Sequence, residues 1–304
     1  MKFICAQPAI DYYTWQVEVM INNFIQQGVN PNSIEIVCSY KDNIPQNWRK
    51  LADTYNTVRF FFYKDLRQKS SYISSVRPHI LHQHWLQHPE LETETIFYHD
   101  CDILLSKPLN FSSLLEDDIC YVSDTVSYIG AQYVRSKGEH YLDLMTSIVG
   151  VSKSFVIDNE KESGGAQYII KNITADFWSK VYHDSEKLWR MVNEQIKKDK
   201  PPHALQIWCA DMWAVLWNLW FFDKTVKVSS EMAFSWATSN MADWDKHNIY
   251  HNAGVTGDRK DLFFKGAYQS KLPYDIDIST INQNQCVYNY VKEIVKTKHV
   301  SCLV

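Results

Sequence analysis

The first hundred residues alternate between short apolar runs and longer segments with helical spacing. Strands are predicted at residues 3–6, 34–38, 58–63 and 95–98. Helices are predicted at residues 12–27, 45–55 and 71–88, the last interrupted near Pro78, and Gly28 is expected to end the first of them. Repeated strand–helix–strand units of this length predict a parallel, doubly wound sheet. The predicted fold class is therefore α/β and Rossmann-like, with a mostly parallel central sheet flanked by helices.

The second half of the chain has a less regular pattern. Strands are predicted at residues 118–122, 226–229 and 249–251, and helices at residues 138–149, 174–198, 204–222 and 284–296. Pro201 and Pro202 separate the two long helices. We find no internal repeat, and we interpret the chain as a single domain, 1–304. Its first half is 1–105, its second half is 106–275, and a terminal helix occupies 276–304.

Composition excludes several classes of protein. Lys and Arg number 31 against 35 Asp and Glu, a net charge of −4, which argues against a surface that grips nucleic-acid phosphates without specificity. A hydrophobic share of 45% is enough for a large core and excludes a mainly disordered chain. The chain is rich in aromatic residues, with 11 Trp, 18 Tyr and 14 Phe. These rings can fill a core or present flat faces to ligands.

The cysteines and the apolar runs indicate the compartment. The seven cysteines never occur as Cys-x-x-Cys, so neither a zinc knuckle nor a thioredoxin-type pair is predicted; they are Cys5, Cys38, Cys101, Cys120, Cys209, Cys286 and Cys302. The apolar run at the N-terminus is too short for a signal peptide, and residues 207–222 carry Asp211 and fall short of a membrane span. We expect no membrane span and a reducing, cytoplasmic location.

The strongest candidate for chemistry is the pair Asp100 and Asp102, directly after the predicted strand at residues 95–98. Open α/β sheets bind ligands at the carboxyl ends of their strands. Two carboxylates one residue apart can hold Mg²⁺ or Mn²⁺ and leave positions for substrate phosphates. The apolar runs on both sides make two buried carboxylates costly unless they are paired or bind a metal. The alternative is a loop with two solvated Asp side chains.

A second candidate group lies near the C-terminus. His251 ends a predicted strand and is followed by a glycine-containing loop whose backbone can approach a phosphate. Its imidazole can serve as a neutral metal ligand, or it can be structural. Lys265 and Gly266 lie further on, and the Lys265 ammonium can reach a pyrophosphate or simply face solvent.

Three further segments are candidates. Asp211 lies in a segment that is apolar nearly all round, with Trp208 on the same predicted face, so we expect a buried carboxylate that needs a partner or ligand. The segment from Gly164 and Gly165 to Gln167 suits a backbone that passes close to a ligand. Arg77 can bind a phosphate or form a surface ion pair.

Other motifs weigh against competing chemistries. The glycines match neither Gly-x-Gly-x-x-Gly nor a Walker loop, and no Gly-x-Ser-x-Gly elbow occurs. A rival metal cluster at His79, His82, His84 and His88 lacks the Glu of His-Glu-x-x-His, although His84 and His88 share a helical face.

The order of the candidate motifs resembles a known family. An N-terminal half that ends in Asp100 and Asp102, followed by a C-terminal His251, looks like a metal-dependent glycosyltransferase of the GT-A fold. Over residues 1–275 the series is similar to the plant-type hydroxyproline arabinosyltransferases and peptidyl-serine galactosyltransferases. The series is Arg77-Pro78, Tyr98-His-Asp-Cys-Asp102, Gly164-Gly-Ala-Gln-Tyr168, Asp211-Met-Trp and His251-Asn252.

The resemblance implies roles for these residues. Asp102 and His251 would bind Mn²⁺ (or Mg²⁺), with Asp100 contacting the metal or the ribose. Ala6, Gln7 and Pro8 would hold the uracil and ribose of a UDP-linked sugar, while Gln167 and Asp211 would contact the donor sugar or the acceptor hydroxyl. The related families also imply transfer of a hexose or pentose with retention of anomeric configuration.

Two other functions stay open. A nucleotidyltransferase can use the same Asp-x-Asp pair, with Glu116, Asp117 or Asp118 as a third carboxylate. A non-catalytic carbohydrate-binding protein would use the aromatic side chains. For a glycosyltransferase, the acceptor hydroxyl can belong to a protein, a glycan or a hydroxymethylated nucleic-acid base.

Overall fold

The computed structural model describes residues 1–301 of the chain, with side chains described for residues 1–298. The strands are β1 (Lys2–Pro8), β2 (Ile34–Tyr40), β3 (Arg59–Lys64), β4 (Ile96–His99), β5 (Ile103–Leu105), β6 (Cys120–Asp124), β7 (Gly164–Ile170), β8 (Val226–Val228), β9 (Phe234–Trp236) and β10 (Ile249–His251). The helices are α1 (Asp11–Gln26), α2 (Gln46–Thr54), α3 (Val76–Gln87), α4 (Val126–Ile129), α5 (Ala131–Lys137), α6 (Glu139–Val149), α7 (Lys153–Asp158), α8 (Ala175–Asp199), α9 (Ala210–Phe221), α10 (Met241–Lys246) and α11 (Val287–Ser301).

The strands form two sheets. The larger has the order β3-β2-β1-β4-β7-β6-β8, and the smaller has the order β5-β10-β9. β1 runs parallel to β2 and β6 runs parallel to β8, whereas β6 and β7 are antiparallel, with an irregularity between Val122 and Ser123. The predicted fold class is confirmed: the chain is α/β, with a mostly parallel central sheet flanked by helices.

The chain divides into two compact units. Unit 1 is formed mainly by Tyr63–Tyr98 and Ser112–Met232, and unit 2 by Lys2–Phe62, His99–Phe111 and the chain from Ala233 onwards. In unit 1, α8 packs against α3 and α9 around fully buried tryptophans. The indole of Trp85 donates to the carbonyl of Ile173 at 2.8 Å, and that of Trp213 to the carbonyl of Ile129 at 2.7 Å, so burying these rings leaves neither N–H unsatisfied.

In unit 2, α1 is buried along most of its length because β5, α2 and α11 all pack against it. An aromatic cluster links α1 to the later part of the chain: Trp15 meets the rings of Phe263 and Tyr290 edge-on, at centroid distances of 5.8 and 6.4 Å. Gly28 follows α1 with a φ of +87°, in the left-handed conformation that commonly ends helices, as its position predicts.

Two helix predictions were wrong in detail. Pro78 does not interrupt α3, which begins at Val76, so Pro78 lies in the first turn, where a missing N–H costs no intrahelical bond. The apolar segment at residues 204–222 is not one helix, because α9 begins only at Ala210 after a 3-10 turn over Ile207–Cys209. Trp208 therefore lies outside α9 and is 60% exposed.

Strand β7 is a further difference from the sequence analysis. Its first three residues are Gly-Gly-Ala, so the segment lacks the continuous apolar run from which the other strands were predicted. A Cβ at Gly164 would lie 2.2 Å from Cγ2 of Val122 on β6, so packing against the neighbouring strand accounts for this glycine.

The state of the cysteines and the character of the helices are as follows. Cys5, Cys38, Cys101, Cys120, Cys209 and Cys286 are free and buried, and Cys302 lies outside the described residues. Within residues 1–301, none of the helices combines the length and the apolar character that crossing a bilayer requires.

Candidate metal and nucleotide site

Backbone pairing in the small sheet of unit 2 brings three candidate ligands together. Asp100 and Asp102 lie in the turn between β4 and β5, and His251 ends β10. β10 pairs antiparallel with β5, so His251 lies opposite Ile103. The backbone N–H of Asn252 then donates to the carbonyl of Asp102 at 2.9 Å. The sheet register therefore places the imidazole beside the two carboxylates.

The three side chains have the geometry and the chemistry of a cation site. Nε2 of His251 lies 3.4 Å from Oδ1 of Asp102 and 3.6 Å from Oδ2 of Asp100. One ligand atom from each residue can be chosen so that all lie within 4.8 Å of one another. Asp102 and His251 are buried, and Asp100 is partly exposed. A set of two carboxylate oxygens and one imidazole nitrogen suits Mn²⁺ or Mg²⁺. The partly exposed side of the set leaves room for a substrate.

Lys265 supplies a positive charge at the same point. Its ammonium donates to Oδ2 of Asp102 and is thereby held at the carboxylates. Burial raises the pKa of Asp102, but the charges of Lys265 and His251 lower it by more, so the net shift is downward. Burial lowers the pKa of Lys265, and the Asp102 carboxylate more than reverses this effect. Both groups are therefore charged at neutral pH.

Neighbouring side chains hold the three candidate metal ligands in place. The ring of Trp236 on β9 stacks on His251, with an angle of 11° between the planes and 6.0 Å between the centroids. Burial lowers the pKa of His99 to about 4, so its ring is neutral at pH 7. Nδ1 of His99 lies 2.8 Å from the carbonyl oxygen of Asp100, which can only accept, so this nitrogen carries the proton. The sequence analysis missed both residues.

The sequence around Trp236 has the alternation of a strand. Phe234-Ser-Trp236 alternates with Ser235 buried between two partly exposed rings, as a strand requires. Its role depends on the parallel pairing of β9 with β10, which sets Trp236 opposite His251. No local pattern contains that pairing.

The predicted nucleotide segment Ala6, Gln7 and Pro8 forms the end of β1, paired in parallel with residues 37–39 of β2. Gln7 is almost completely buried. Its Nε2 donates to the carbonyl of Val37 at 3.4 Å and to Sγ of Cys38 at 3.3 Å. Within the described residues its Oε1 has no hydrogen-bond partner. At the end of β1, the buried Oε1 of Gln7 can therefore still accept a hydrogen bond.

Asp211, the candidate catalytic carboxylate, lies in the first turn of α9 in unit 1, and its side chain is 15% exposed. The hydroxyl of Tyr72 donates to Oδ1 at 2.5 Å, and Nη1 of Arg77 lies 3.3 Å from Oδ2. The structure therefore brings the candidates Asp211 and Arg77 together as an ion pair. Val215 and Asn218 on the same helix are buried, whereas Trp208 is not.

Glu186 organises the loop that carries Tyr72. Its carboxylate accepts from the hydroxyls of Ser70 at 2.6 Å and Ser75 at 2.5 Å, and from the backbone N–H of Ser71 at 3.0 Å. Burial raises the pKa of Glu186, but these hydrogen bonds outweigh it and hold the pKa below its ordinary value. Glu186 was not among the candidates from the sequence.

The remaining candidates have local structural contacts. Gln167 is fully buried, and its Oε1 accepts from the hydroxyl of Ser123 at 2.8 Å. A Cβ at Gly165 would lie 2.8 Å from Cε of Met212, next to Asp211. A Cβ at Gly266 would lie 2.3 Å from Cζ of Phe264, so this glycine permits a close approach of that ring.

The alternative metal clusters do not form among the described residues. Among these residues, only Asp100, Asp102 and His251 bring three His, Cys, Asp or Glu ligand atoms close enough together to share a metal ion. Nδ1 of His84 instead lies 2.8 Å from the hydroxyl of Tyr63. Asp117 accepts from the hydroxyl of Tyr121 at 2.7 Å and pairs with Lys171 at 3.0 Å.

Comparison with known proteins gives structural likenesses at low identity. No protein-family model and no curated protein matches the sequence. The apo structure of the bifunctional glycosyltransferase WbbM is 12% identical with a TM-score of 0.48, over 98% of this chain and 51% of that one. This chain thus spans about half the length of that protein.

Two further solved structures match over most of their own length. The galactosyltransferase LgtC, in complex with donor and acceptor sugar analogs, is 12% identical with a TM-score of 0.46, over 98% of this chain and 96% of that one. Mouse xyloside xylosyltransferase 1 in its apo form is 11% identical with a TM-score of 0.42, over 83% of this chain and 95% of that one. Each is a structure that this chain resembles.

Proposed function

We propose that this chain is a metal-dependent glycosyltransferase of the GT-A type that moves a sugar from a UDP-linked donor to an acceptor hydroxyl. The observation that supports it most is the grouping of Asp100, Asp102 and His251, with the ammonium of Lys265 against Asp102. A hard cation held by two carboxylates and one imidazole keeps coordination positions for phosphate oxygens. The adjacent lysine adds a positive charge that a diphosphate would meet.

In this proposal Asp100, Asp102 and His251 hold Mn²⁺ or Mg²⁺. The ion supplies charge neutralisation for the diphosphate leaving group while the glycosidic bond breaks. Trp236 keeps the His251 ring in its orientation, and His99 fixes the backbone of Asp100 through its carbonyl. The Lys265 ammonium and the backbone at Gly266 would donate to a phosphate oxygen of the bound donor. Ala6, Gln7 and Pro8 hold the uracil and ribose.

A second set of candidate residues is proposed to act on the sugar and the acceptor. Asp211 and Gln167 contact the donor sugar or the acceptor hydroxyl, Arg77 binds a phosphate or orients Asp211, and Gly164 and Gly165 allow backbone approach. The sugar is a hexose or pentose, transferred with retention of configuration as the resemblance implies. The reaction takes place in the cytoplasm, on a protein, a glycan or a modified nucleic-acid base.

The test is donor hydrolysis by the purified chain. A panel of UDP-sugars is incubated with Mn²⁺, and the release of UDP is followed. Turnover is expected to stop in EDTA and to return when Mn²⁺ is added in excess, because the leaving diphosphate then regains its counter-charge. Undiminished turnover in EDTA, with metal removal verified, would overturn the metal assignment.

The products separate the proposed function from its alternatives. Release of pyrophosphate from a nucleoside triphosphate would identify a nucleotidyltransferase instead. The structure does not favour that reaction, because Glu116, Asp117 and Asp118 do not join the carboxylate group within the described residues. Sugar binding without turnover of any donor would indicate a carbohydrate-binding protein.

A further inference from the structure

A cavity of about 550 Å³ opens in unit 1 beside the last residues of α6 and α9. Its volume lies within the range typical of small-molecule sites. None of the residues that line it has a role in the proposed transfer reaction. Its walls combine Phe155, Trp220 and Phe221 with the polar side chains of Asn159, Asp223 and Lys224.

The apolar walls of the cavity are aromatic and unusually exposed. Phe155 is 45% exposed and Phe221 is 44% exposed, although each could gain free energy by burying its ring. Phe155 meets Trp220 edge-on, with 5.8 Å between the ring centroids and an angle of 73° between the planes. The exposed rings of Phe155 and Phe221, with the buried Trp220 ring packed against Phe155, form the aromatic corner of the cavity, which a flat, apolar surface can cover.

The wall at Phe221 is held in place from outside the cavity. The ammonium of Lys180, which does not line the cavity, lies 4.2 Å from the centroid of the Phe221 ring. That ammonium is itself fixed, because it donates to the carbonyl of Val149 at 2.7 Å and to Oδ2 of Asp184 at 2.6 Å. A wall that is fixed before binding loses little conformational freedom when a ligand arrives.

The polar groups of the cavity have unused hydrogen-bonding capacity. Asp223 follows α9 with a φ of +55°, and its exposed carboxylate can accept hydrogen bonds. Nδ2 of Asn159 donates to the carbonyl of Phe155 at 2.9 Å, which leaves its Oδ1 to accept. Lys224 adds a donor. The site therefore offers both acceptors and a donor beside its aromatic corner.

We propose that this cavity binds a pyranose unit of a glycan, at a site apart from the Asp100–His251 group. A pyranose has one flat face of C–H bonds, which suits the aromatic corner, and a rim of hydroxyls that both donate and accept. A purely apolar ligand would leave the Asp223 carboxylate and the Lys224 ammonium desolvated without partners. The combination thus favours a polyhydroxylated ring over an apolar side chain.

The test measures binding of methyl glucopyranosides and methyl galactopyranosides by saturation-transfer NMR, in EDTA and without nucleotide. We expect saturable binding, with transfer arising from aromatic protons of the protein. Phe221→Ala should weaken binding about tenfold, equivalent to about 1.4 kcal/mol. Asp223→Asn should weaken it severalfold while keeping the fold, because Asn tolerates the left-handed conformation. Asp158→Asn on the neighbouring helix α7 is the matched control and should bind like the wild type.

Three results would overturn the proposal. The first is that no pyranoside binds saturably to the wild-type chain. The second is that Phe221→Ala and Asp223→Asn both bind as tightly as the wild type, which would place the sugar elsewhere. The third is concentration-dependent self-association that Phe221→Ala abolishes, which would make the cavity an interface with a second copy. UDP release from donors should be unchanged in Asp223→Asn, so failure here is distinguishable from failure of the proposed transferase activity.

Discussion

Nε2 of His251 lies 3.4 Å from Oδ1 of Asp102, and both side chains are more than nine-tenths buried. The two residues are far apart in sequence, and the pairing of β10 with β5 brings them together. A buried carboxylate is costly unless charged or polar partners surround it, and here an imidazole and an ammonium do so. These partners stabilise the negative charge of the buried Asp102 carboxylate. The contribution of each residue to cation binding can be measured by substitution.

Substitution of the two buried ligands should remove cation binding. We expect Asp102→Asn and His251→Ala each to weaken Mn²⁺ binding by about a hundredfold or more, since even indirect changes at metal sites cost about 10- to 100-fold. Titration calorimetry with MnCl₂ measures the effect. His203→Ala is the control, because this histidine is exposed and makes no hydrogen bond within the described residues. A normal Mn²⁺ titration in Asp102→Asn would show that the ion binds elsewhere.

Lys265 should oppose the metal when no nucleotide is present. Its ammonium donates to an Asp102 oxygen that a cation would otherwise take, so the two positive charges compete for one carboxylate. Lys265→Met should therefore tighten the binding of Mn²⁺ alone. The same substitution should weaken the binding of UDP in the presence of Mn²⁺, because a donor to the diphosphate is lost.

Both halves of the Lys265 prediction can be measured by calorimetry on one preparation. Lys260→Met, an exposed lysine in the preceding loop, controls for the loss of one positive charge. Weaker binding of both Mn²⁺ and UDP would show that Lys265 only supports the local fold. Unchanged UDP binding would remove Lys265 from the nucleotide site.

Much of the fold could be predicted because its strands are local patterns. The strands of the first hundred residues are short apolar runs between helical segments, and the structure contains each of them. The grouping of Asp100, Asp102 and His251 was predicted from motif order, and the structure contains it. The strands could be predicted because each is a local pattern. The grouping could be predicted only through the order of the motifs in the resemblance, because the antiparallel pairing of β10 with β5 that produces it joins distant segments.

The parts that sequence could not predict depend on pairing between distant segments. Trp236 stacks on His251 only because β9 lies beside β10. Likewise, Glu186 binds the serines of a loop more than a hundred residues earlier in the chain. Trp208 was placed on a buried helical face because a helix was assumed from residue 204, whereas the helix begins at Ala210. Neither local pattern nor propensity contains this information.

Asp211 should affect both stability and rate. Asp211→Asn removes a charge that Tyr72 and Arg77 contact, so unfolding should become easier by about 1.5–3 kcal/mol, the usual contribution of a hydrogen bond to a charged group. In the proposed reaction the Asp211 carboxylate also contacts the sugar or the acceptor. The kcat of Asp211→Asn should therefore fall about a hundredfold or more, while UDP-sugar and Mn²⁺ still bind. Melting temperature and single-turnover rate are measured on the same sample.

Tyr72→Phe is the matched variant for Asp211. It removes the hydroxyl that donates to Asp211 and keeps the ring that stacks on Trp189, with 5.0 Å between centroids. It should reproduce part of the stability loss and leave the rate near the wild-type value, because the carboxylate is retained. A destabilised Asp211→Asn with a normal rate would make Asp211 a structural residue.

Glu186 should make the stability of the chain depend on pH in the acid range. The hydrogen bonds from Ser70 and Ser75 lower its pKa in the folded state, so near the ordinary glutamate pKa the unfolded chain binds more protons than the folded one. The contribution of Glu186 is thus fully present above about pH 4.5 and is lost as the pH falls through the folded-state pKa.

Glu186→Gln should therefore melt at a lower temperature than the wild type at pH 7, and the difference should shrink steadily below about pH 4.5. Protonation removes the same negative charge from the wild type that the substitution removes from the variant, so the two proteins converge. Thermal unfolding from pH 7 to pH 3 measures the difference, and Glu194→Gln, exposed on the same helix α8, controls for loss of a surface charge. A difference between wild type and Glu186→Gln that stays constant over this range would show that the serine hydrogen bonds do not depend on the ionised carboxylate.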